Sequence, residues 1–539
     1  MPTVTSTTSS KNQISKQDLQ DIISKNMLIS VLAKIFNLMT RLLIPPIVLG
    51  FVSLHEYGLW AICFVIISYF NLGAFGIANV YIRYVAAYHA TNEIHKINGL
   101  VSTGMVLVTT ISSIFLLVLW YVIPFLVENV FKILPSLHET AFLLLYGTAT
   151  LFLLSLSFNA FTHILNGLQK MAETSLVMVF CLIIEMGALV VFLFQGFGIL
   201  SLLYAFAIRT LVSIFINFFL CHHFLSGFSI GFTYFDRSYF KLFYRFGAIV
   251  QLSSIFGLIL NSIDKLITST ALSMKATALL DLGTKIPVMS NSISASMNAV
   301  FLPAISYAHS QQRHAEVFDM YIGGSRTINL FMGFLMGFLA AFSAPLTVAW
   351  LGKNEEFQIV AVIMAVFTVS RQLHALTGMG TAYFKGIEKP SRILMYSGTR
   401  LVLVSLIGSI ILYFFEITVL NIAMIIILST TIGALFYIMY SIHFIGIPFL
   451  KYIAQVMLPG FLIPYGIAFL LFWLLTPWAS IAMTDRWYAL GFIFISGILY
   501  TSLTLFAYWR IFTLEERNKL RQRVLKIIGR LFHKKSNQV

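Results

Sequence analysis

Fourteen long apolar runs, separated by short polar turns, constrain this chain more than any other feature. They cover approximately residues 26–48, 57–80, 99–127, 140–165, 174–195, 197–222, 243–267, 276–304, 325–350, 357–383, 391–414, 417–444, 453–477 and 487–509. A helix of about 20 apolar residues spans the hydrocarbon layer of a bilayer. Only helices and closed barrels satisfy their own backbone there. The runs therefore predict an all-α, polytopic membrane protein with about 14 transmembrane helices. Composition agrees, because only 10% of the 539 residues are charged and 59% are hydrophobic. A soluble domain carries about 25% charged residues, so a water-soluble fold is excluded.

The net charge is +15. In a soluble protein that would point to nucleic acid, but membrane proteins gather Lys and Arg in cytoplasmic loops, so no nucleic-acid partner is expected. With both termini placed inside, the inside segments hold 24 of the 35 Lys and Arg, the outside loops hold five, and six lie within spans. That asymmetry predicts cytoplasmic termini. The expected organisation is a cytoplasmic segment 1–25, a first lobe 26–222, an inter-lobe loop 223–242, a second lobe 243–445, two further spans within 453–509, and a basic cytoplasmic tail 510–539. In the tail, Leu520, Val524, Ile527, Ile528 and Leu531 recur at helical spacing among Arg517, Arg521, Arg523 and Arg530. This reads as an amphipathic helix attracted to anionic lipid on the inner leaflet, with a solvated charged tail as the alternative. Ile14, Leu19, Ile22 and Ile23 suggest a smaller surface helix before the first span. The polar N-terminus lacks a small-residue cleavage site, so no secretory signal is expected. Cys63, Cys181 and Cys221 lie in apolar runs without disulfide or metal spacing.

Charges inside spans are costly and usually face a cavity or a partner. Lys34 and Arg41 are seven residues apart on one helical face with Asn37 between them. Two cations on one face fit an anion site, although Lys34 can also snorkel to the inner interface. Arg371 and His374 share a face of the tenth span at i,i+3, either lining a cavity or satisfied within the helix packing. Arg400 lies near the inner end of its span and is expected to snorkel. Asp264 and Asp281 fall at similar depths on the hairpin of the seventh and eighth spans, and Lys285 is one turn beyond Asp281. A cavity carboxylate can bind a proton or sodium and couple transport to an ion gradient. The alternatives are a plain Asp281–Lys285 pair and an Asp264 that reaches outside water. Glu185 and Arg209 stand at matching depths on the hairpin turning near residue 196, which predicts a structural ion pair. Pro45 and Pro46 predict a kink or an end to the first helix.

The loops are too short for a catalytic domain, and neither a GxxxxGK[ST] loop nor an HExxH motif is present. No enzymatic activity, cofactor or metal is expected.

The segment "EYGLWA" at 56–61 followed by "FGIANVYIRYVAAY" at 75–88 resembles the opening helix pair of the polysaccharide transport family of flippases (Wzx-like), within the multidrug/oligosaccharidyl-lipid/polysaccharide (MOP) superfamily. "NSIDKLI" with Asp264, "LLDLGTKI" with Asp281 and "FLPAIS" around Pro303 agree in order and spacing. The resemblance implies two six-helix lobes in a V, two further helices, alternating access around a central cavity, and a bacterial inner-membrane location. It also implies a polyprenyl-pyrophosphate-linked oligosaccharide as cargo, such as an O-antigen repeat unit. A cationic cavity with Lys34, Arg41, Lys285 and Arg371 would hold the pyrophosphate. Membrane lipids and the polymerase and glycosyltransferase machinery are the implied partners. One departure stands out. Relatives often carry an acid before the glycine of the second span, where this chain has Ala74, with Asn71 one turn earlier. That leaves Asp264, Asp281 or no ion at all for coupling.

The competing reading is a multidrug-type antiporter of the same superfamily. A cation exporter wants a cavity dominated by carboxylates, whereas this chain carries more cations than acids within its spans.

Overall fold

The computed structural model describes residues 16–70, 77–131, 133–512 and 517, and every regular element among them is helical. The expected sites at Asn71 and Ala74, and all of the amphipathic tail except Arg517, lie outside the described residues. By compactness the chain forms two units, Met1–Ala278 and Leu279–Val539.

The first unit contains α1 (Lys16–Val48), α2 (Leu54–Phe70), α3 (Ile77–Ala90), α4 (Ile94–Phe125), α5 (His138–Phe158), α6 (Ala160–Gly167), α7 (Met171–Phe194), α8 (Leu200–Phe224) and α9 (Ser238–Ala271). α1 runs unbroken from Lys16, so Leu19, Ile22 and Ile23 belong to the first span's own helix and not to a separate surface helix. The reason is local, because no Gly or Pro occurs between Lys16 and Ile44 to break it. Pro45 and Pro46 sit in the last turn, and the helix ends at Val48. The fourth run is divided at Asn159 into α5 and α6. α7 and α8 form a hairpin whose turn uses Gly196 and Gly198 at φ of 85° and 54°, a backbone state that favours glycine.

α9 packs on α2, α3 and α4, and the units divide after Ala278 and not at the 223–242 loop. That loop is fastened to α4. The Asn98 side chain donates to Gly227 O at 3.0 Å, and Asp236 N donates to Thr103 Oγ1 at 3.0 Å. The Asp236 carboxylate accepts the Ser238 N–H at 2.8 Å, which holds its pKa below the usual range. Tyr81, Val85, Leu100, Ile164, Cys221 and Phe243 belong to the core beneath.

The second unit holds most of α10 (Met274–Ser310), then α11 (His314–Leu351), α12 (Gln358–Gly386), α13 (Leu394–Phe414), α14 (Val419–Ile445), α15 (Phe449–Tyr452), α16 (Leu458–Leu474), α17 (Thr476–Ala482) and α18 (Arg486–Ile511). α11 bends at Phe342 (φ −103°, ψ 15°), three residues before Pro345, as expected when a proline removes a helix donor. A π-helical turn, Ile453–Met457, precedes α16.

All fourteen apolar runs contain helix, and eleven spans among the described residues are long and apolar enough to cross a membrane. The other three runs fall at α2 with α3, at α9 and at α10. Large side chains such as Leu117, Trp120, Phe194, Phe215 and Phe494 are exposed, which suits a lipid solvent that wets apolar surface.

In lipid, helices associate through close packing of small residues and through buried polar contacts. α11, α12 and α16 use both. Asn329 Nδ2 donates to Val456 O at 2.7 Å in the π turn, and Gln372 Nε2 donates to Asn329 Oδ1 at 2.7 Å and to Gly460 O at 2.9 Å. A Cβ on Gly333 would strike the Gly460 carbonyl, and one on Gly460 would strike Asn329. Gly333→Leu should therefore overpack this junction at a cost of about 1–3 kcal/mol. Asn329→Leu should cost about 0.6 to 1.7 kcal/mol through lost interhelical bonds. Thermal unfolding in detergent should rank Gly333→Leu below Asn329→Leu, with Gly187→Ala, which meets no neighbour, close to wild type.

Candidate functional site

The first unit holds two adjoining, partly open cavities of about 470 and 360 Å³. They share Asn159, Thr162, Arg209, Ser213 and Asn217 as lining. α1 contributes Ser30 and Lys34 to the larger one, α6 contributes Asn166, and α7 contributes Thr174 and Ser175. Periodicity explains the alignment. Arg209, Ser213 and Asn217 recur every four residues on α8, and Asn159, Thr162 and Asn166 recur at three and four residues along the divided fourth span. Each row therefore makes a polar stripe on one helix face.

Several wall contacts fix α1 on α7. Asn26 Nδ2 donates to Gln169 O at 2.8 Å, Ala172 N donates to Asn26 Oδ1 at 3.3 Å, and the Ser30 and Ser175 hydroxyls meet at 2.9 Å. Asn217 Nδ2 donates to Ser213 O at 2.8 Å. Its Oδ1, like that of Asn37, is buried without a hydrogen-bond partner among the described residues. Buried polar atoms of this kind call for water or a ligand.

Beside the cavities sits a buried carboxylate shared by two arginines. Glu185 Oε1 lies 3.4 Å from Arg41 Nη1, and its Oε2 lies 3.5 Å from Arg209 Nε. The Glu185 side chain is 6% exposed, whereas those of Arg41 and Arg209 are 30% and 26% exposed. The carboxylate is the most buried of the three, and Arg209 is the one that lines the cavities. Counting Lys34, three cations face one acid here. The arrangement can offer forked donors and positive charge to an anion, and hydroxyl and amide groups to a polyol.

The sequence reading placed Lys34 and Arg41 at an anion site and assigned Arg209 to a structural pair with Glu185. In the structure Lys34 and Arg209 line one cavity, and Arg41 joins Arg209 on the same carboxylate. The polar stripe running on from Arg209 is the sequence signal that marks it as cavity-lining.

The other candidates have these surroundings. Lys285 Nζ lies 2.8 Å from Asp281 Oδ2 on α10, the geometry of an i,i+4 pair. Asp264 is buried on α9, and its Oδ1 accepts the Lys265 N–H at 2.9 Å. In the second unit Arg371 is buried on α12 over the Phe367 ring at 5.1 Å, and His374 Nδ1 meets the Tyr396 hydroxyl at 2.6 Å.

Arg400 is a correction. It does not snorkel but is 4% exposed, with its guanidinium over the Tyr396 ring at 5.6 Å. Gly433 on α14 leaves room for its stem, so helix packing closes the route to the interface. Among the described residues no group of three or more His, Cys, Asp or Glu that could hold a metal is found.

The family model for polysaccharide biosynthesis proteins matches residues 23–309, which include the whole cavity wall. Among solved structures, the chain resembles the lipid II flippase MurJ in an inward closed conformation, at 15% identity and a TM-score of 0.65 over 90% of this chain and 98% of that one. It resembles an inward-facing multidrug resistance MATE family transporter of the MOP superfamily at 15% identity and a TM-score of 0.59, over 78% of this chain and 98% of that one. A MOP superfamily transporter from Pyrococcus furiosus aligns at 17% identity and a TM-score of 0.52, over 79% of this chain and 96% of that one. No curated protein matches by sequence. At these identities the structural likeness speaks to the fold.

The cavity wall makes an electrostatic prediction. With Cys63, Cys181 and Cys221 replaced by alanine, a Ser213→Cys variant should react about tenfold faster with an anionic methanethiosulfonate than with a cationic one, because nearby Lys34 and Arg209 concentrate anions. Leu211→Cys, on the exposed apolar face of α8, should show neither fast reaction nor preference.

Proposed function

The chain belongs to the polysaccharide biosynthesis protein family, and from that premise we propose that it is a flippase moving a polyprenyl-diphosphate-linked oligosaccharide across the bacterial inner membrane. The observation that carries this reading is the cavity of the first unit, where Lys34 and Arg209 face a wall of hydroxyls and amides. A diphosphate diester carries two negative charges and several acceptor oxygens, which forked guanidiniums match. The sugars need the donors and acceptors that Asn159, Thr162, Asn166 and Asn217 supply.

Lys34, Arg41 and Arg209 are the groups we assign to the diphosphate. Arg371 and His374 remain candidates for cargo contact in the second unit, and Lys285 is held by Asp281 unless cargo competes for it. The excess of Lys and Arg in alternate loops supports cytoplasmic termini. The fold supports alternating access. Export of an organic cation is the weaker reading, because the carboxylate nearest the cavity is buried against two arginines.

The test is flipping of a short-chain polyprenyl-diphosphate glycan by the full chain in proteoliposomes. A charge-assisted hydrogen bond contributes about 1.5–3 kcal/mol, so Arg209→Ala and Lys34→Ala should each lower initial rates at subsaturating cargo by about tenfold or more. Absence of flipping by folded protein across several glycans, together with export of organic cations, would overturn the proposal in favour of an antiporter.

A further inference from the structure

We propose that a slot on the second unit, walled by α11, the π turn and α18, holds one anionic diacyl phospholipid, with Arg326 and Lys451 on its phosphate and its acyl chains along an apolar floor. The proposal concerns the second unit alone and does not depend on the diphosphate reading of the first.

Size and depth fit a lipid. The slot is partly open and measures about 1270 Å³, more than twice the larger cavity of the first unit, at about 470 Å³. Its cations stand at helix ends. Arg326 Nη2 lies 3.5 Å from Ile511 O at the end of α18, and its guanidinium lies over the Phe512 ring at 5.8 Å. Lys451 Nζ lies over the Phe318 ring at 4.6 Å, near the start of α11. Helix ends are where the headgroups of a leaflet meet basic side chains. From there the lining descends to Phe334 on α11 and to Thr501 on α18. Thr501 precedes Ile511 by ten residues, a rise of about 15 Å. Half of a hydrocarbon layer is also about 15 Å, so the slot has the depth of one leaflet and the reach of an acyl chain.

The walls are fixed by the protein itself. The Tyr508 hydroxyl donates to Leu330 O at 2.7 Å and the Tyr500 hydroxyl to Phe334 O at 2.9 Å, which fastens α18 to α11. Asn329 Nδ2 fastens the π turn to α11 through Val456 O at 2.7 Å. Between these ties the floor is apolar and uncovered, with Phe331 39% and Leu505 58% exposed. Gly323 adds room, because a Cβ there would meet nothing within 4 Å. A preformed apolar concavity with a few polar groups at one end has the build of a ligand site.

Charge selects the lipid. The charged residues of the lining are Arg326, Lys451 and Asp319, which leave one net positive charge. A phosphatidylglycerol headgroup carries one negative charge and balances it. A phosphatidylethanolamine headgroup is neutral overall and does not. A diphosphate-linked cargo carries two charges and would leave the lining negative. Gln455, one turn from Lys451, offers an amide to the hydroxyls of the glycerol headgroup.

The test is native mass spectrometry of the full-length protein, stripped of lipid in detergent and titrated with dioleoyl phosphatidylglycerol or dioleoyl phosphatidylethanolamine. Wild type should take up one phosphatidylglycerol about fivefold more tightly than phosphatidylethanolamine, the factor that one net cation contributes at a headgroup. Arg326→Gln or Lys451→Gln makes the lining neutral and should bring the two lipids level. Asp319→Asn doubles the net charge and should widen the preference by about fivefold again. Gly323→Phe fills the slot and should abolish the tight site, whereas Gly323→Ala should keep it. Equal binding of the two lipids by wild type, or a preference that survives both cation variants and ignores Asp319→Asn, overturns the proposal. So does one-for-one displacement of phosphatidylglycerol by a lower concentration of a short-chain polyprenyl-diphosphate glycan, which would give the slot to the cargo. Neither result touches the anion site of the first unit. The wild-type comparison and the gain in Asp319→Asn decide the matter even where a cation variant misfolds.

Discussion

Water is absent from the hydrocarbon layer, so each polar group that the spans carry into it must be answered by another. The two units answer in different ways. Around Asn329 and Gln372, side-chain amides meet backbone carbonyls at 2.7 to 2.9 Å, including that of Val456 in the π turn. Around Glu185 the contacts are half an ångström longer or more, and the amide oxygens of Asn37 and Asn217, like Gln372 Oε1 at the other junction, are left over. The first pattern locks helices together. The second leaves interaction capacity unspent at a cavity, which suits a site that has to release what it binds.

Much of the fold was legible in the sequence, because span length and apolar content are set by bilayer thickness and survive without knowledge of packing. Local spacing was legible too. The i,i+4 relation of Asp281 and Lys285 and the matched depths of Glu185 and Arg209 follow from 1.5 Å of rise per residue along a helix, and both pairs face each other in the structure. What stayed hidden depends on contacts between distant segments. Arg41 reaches Glu185 across 144 positions of sequence, and no periodicity announces which face of α1 turns to α7. Arg400 was misplaced for the same reason. Its depth near a helix end favoured snorkelling, but Gly433 on a neighbouring helix receives its stem.

Charge sign then narrows the cargo. A cavity that selects cations needs acids at its surface, where they keep their charge and meet the ligand first. Here the residues that line the cavity are Lys34 and Arg209, and Glu185 is buried against Arg41 and Arg209. Such an arrangement gives the cavity a positive lining, which favours an anion over a cation. The polar stripes on α6 and α8 extend the site beyond a single phosphate, since Asn166, Ser213 and Asn217 add donors and acceptors in succession.

The buried acid also bears on stability without cargo. Two arginines and a lysine at or beside a cavity would repel one another if left bare, and low-dielectric walls would strengthen that repulsion. Glu185 offsets part of it in the empty protein. Because it does so through long contacts, the offset is partial. A tighter pair would hold α1, α7 and α8 together more firmly. The geometry of Glu185 stops short of that, with one carboxylate shared by two guanidiniums at 3.4 and 3.5 Å.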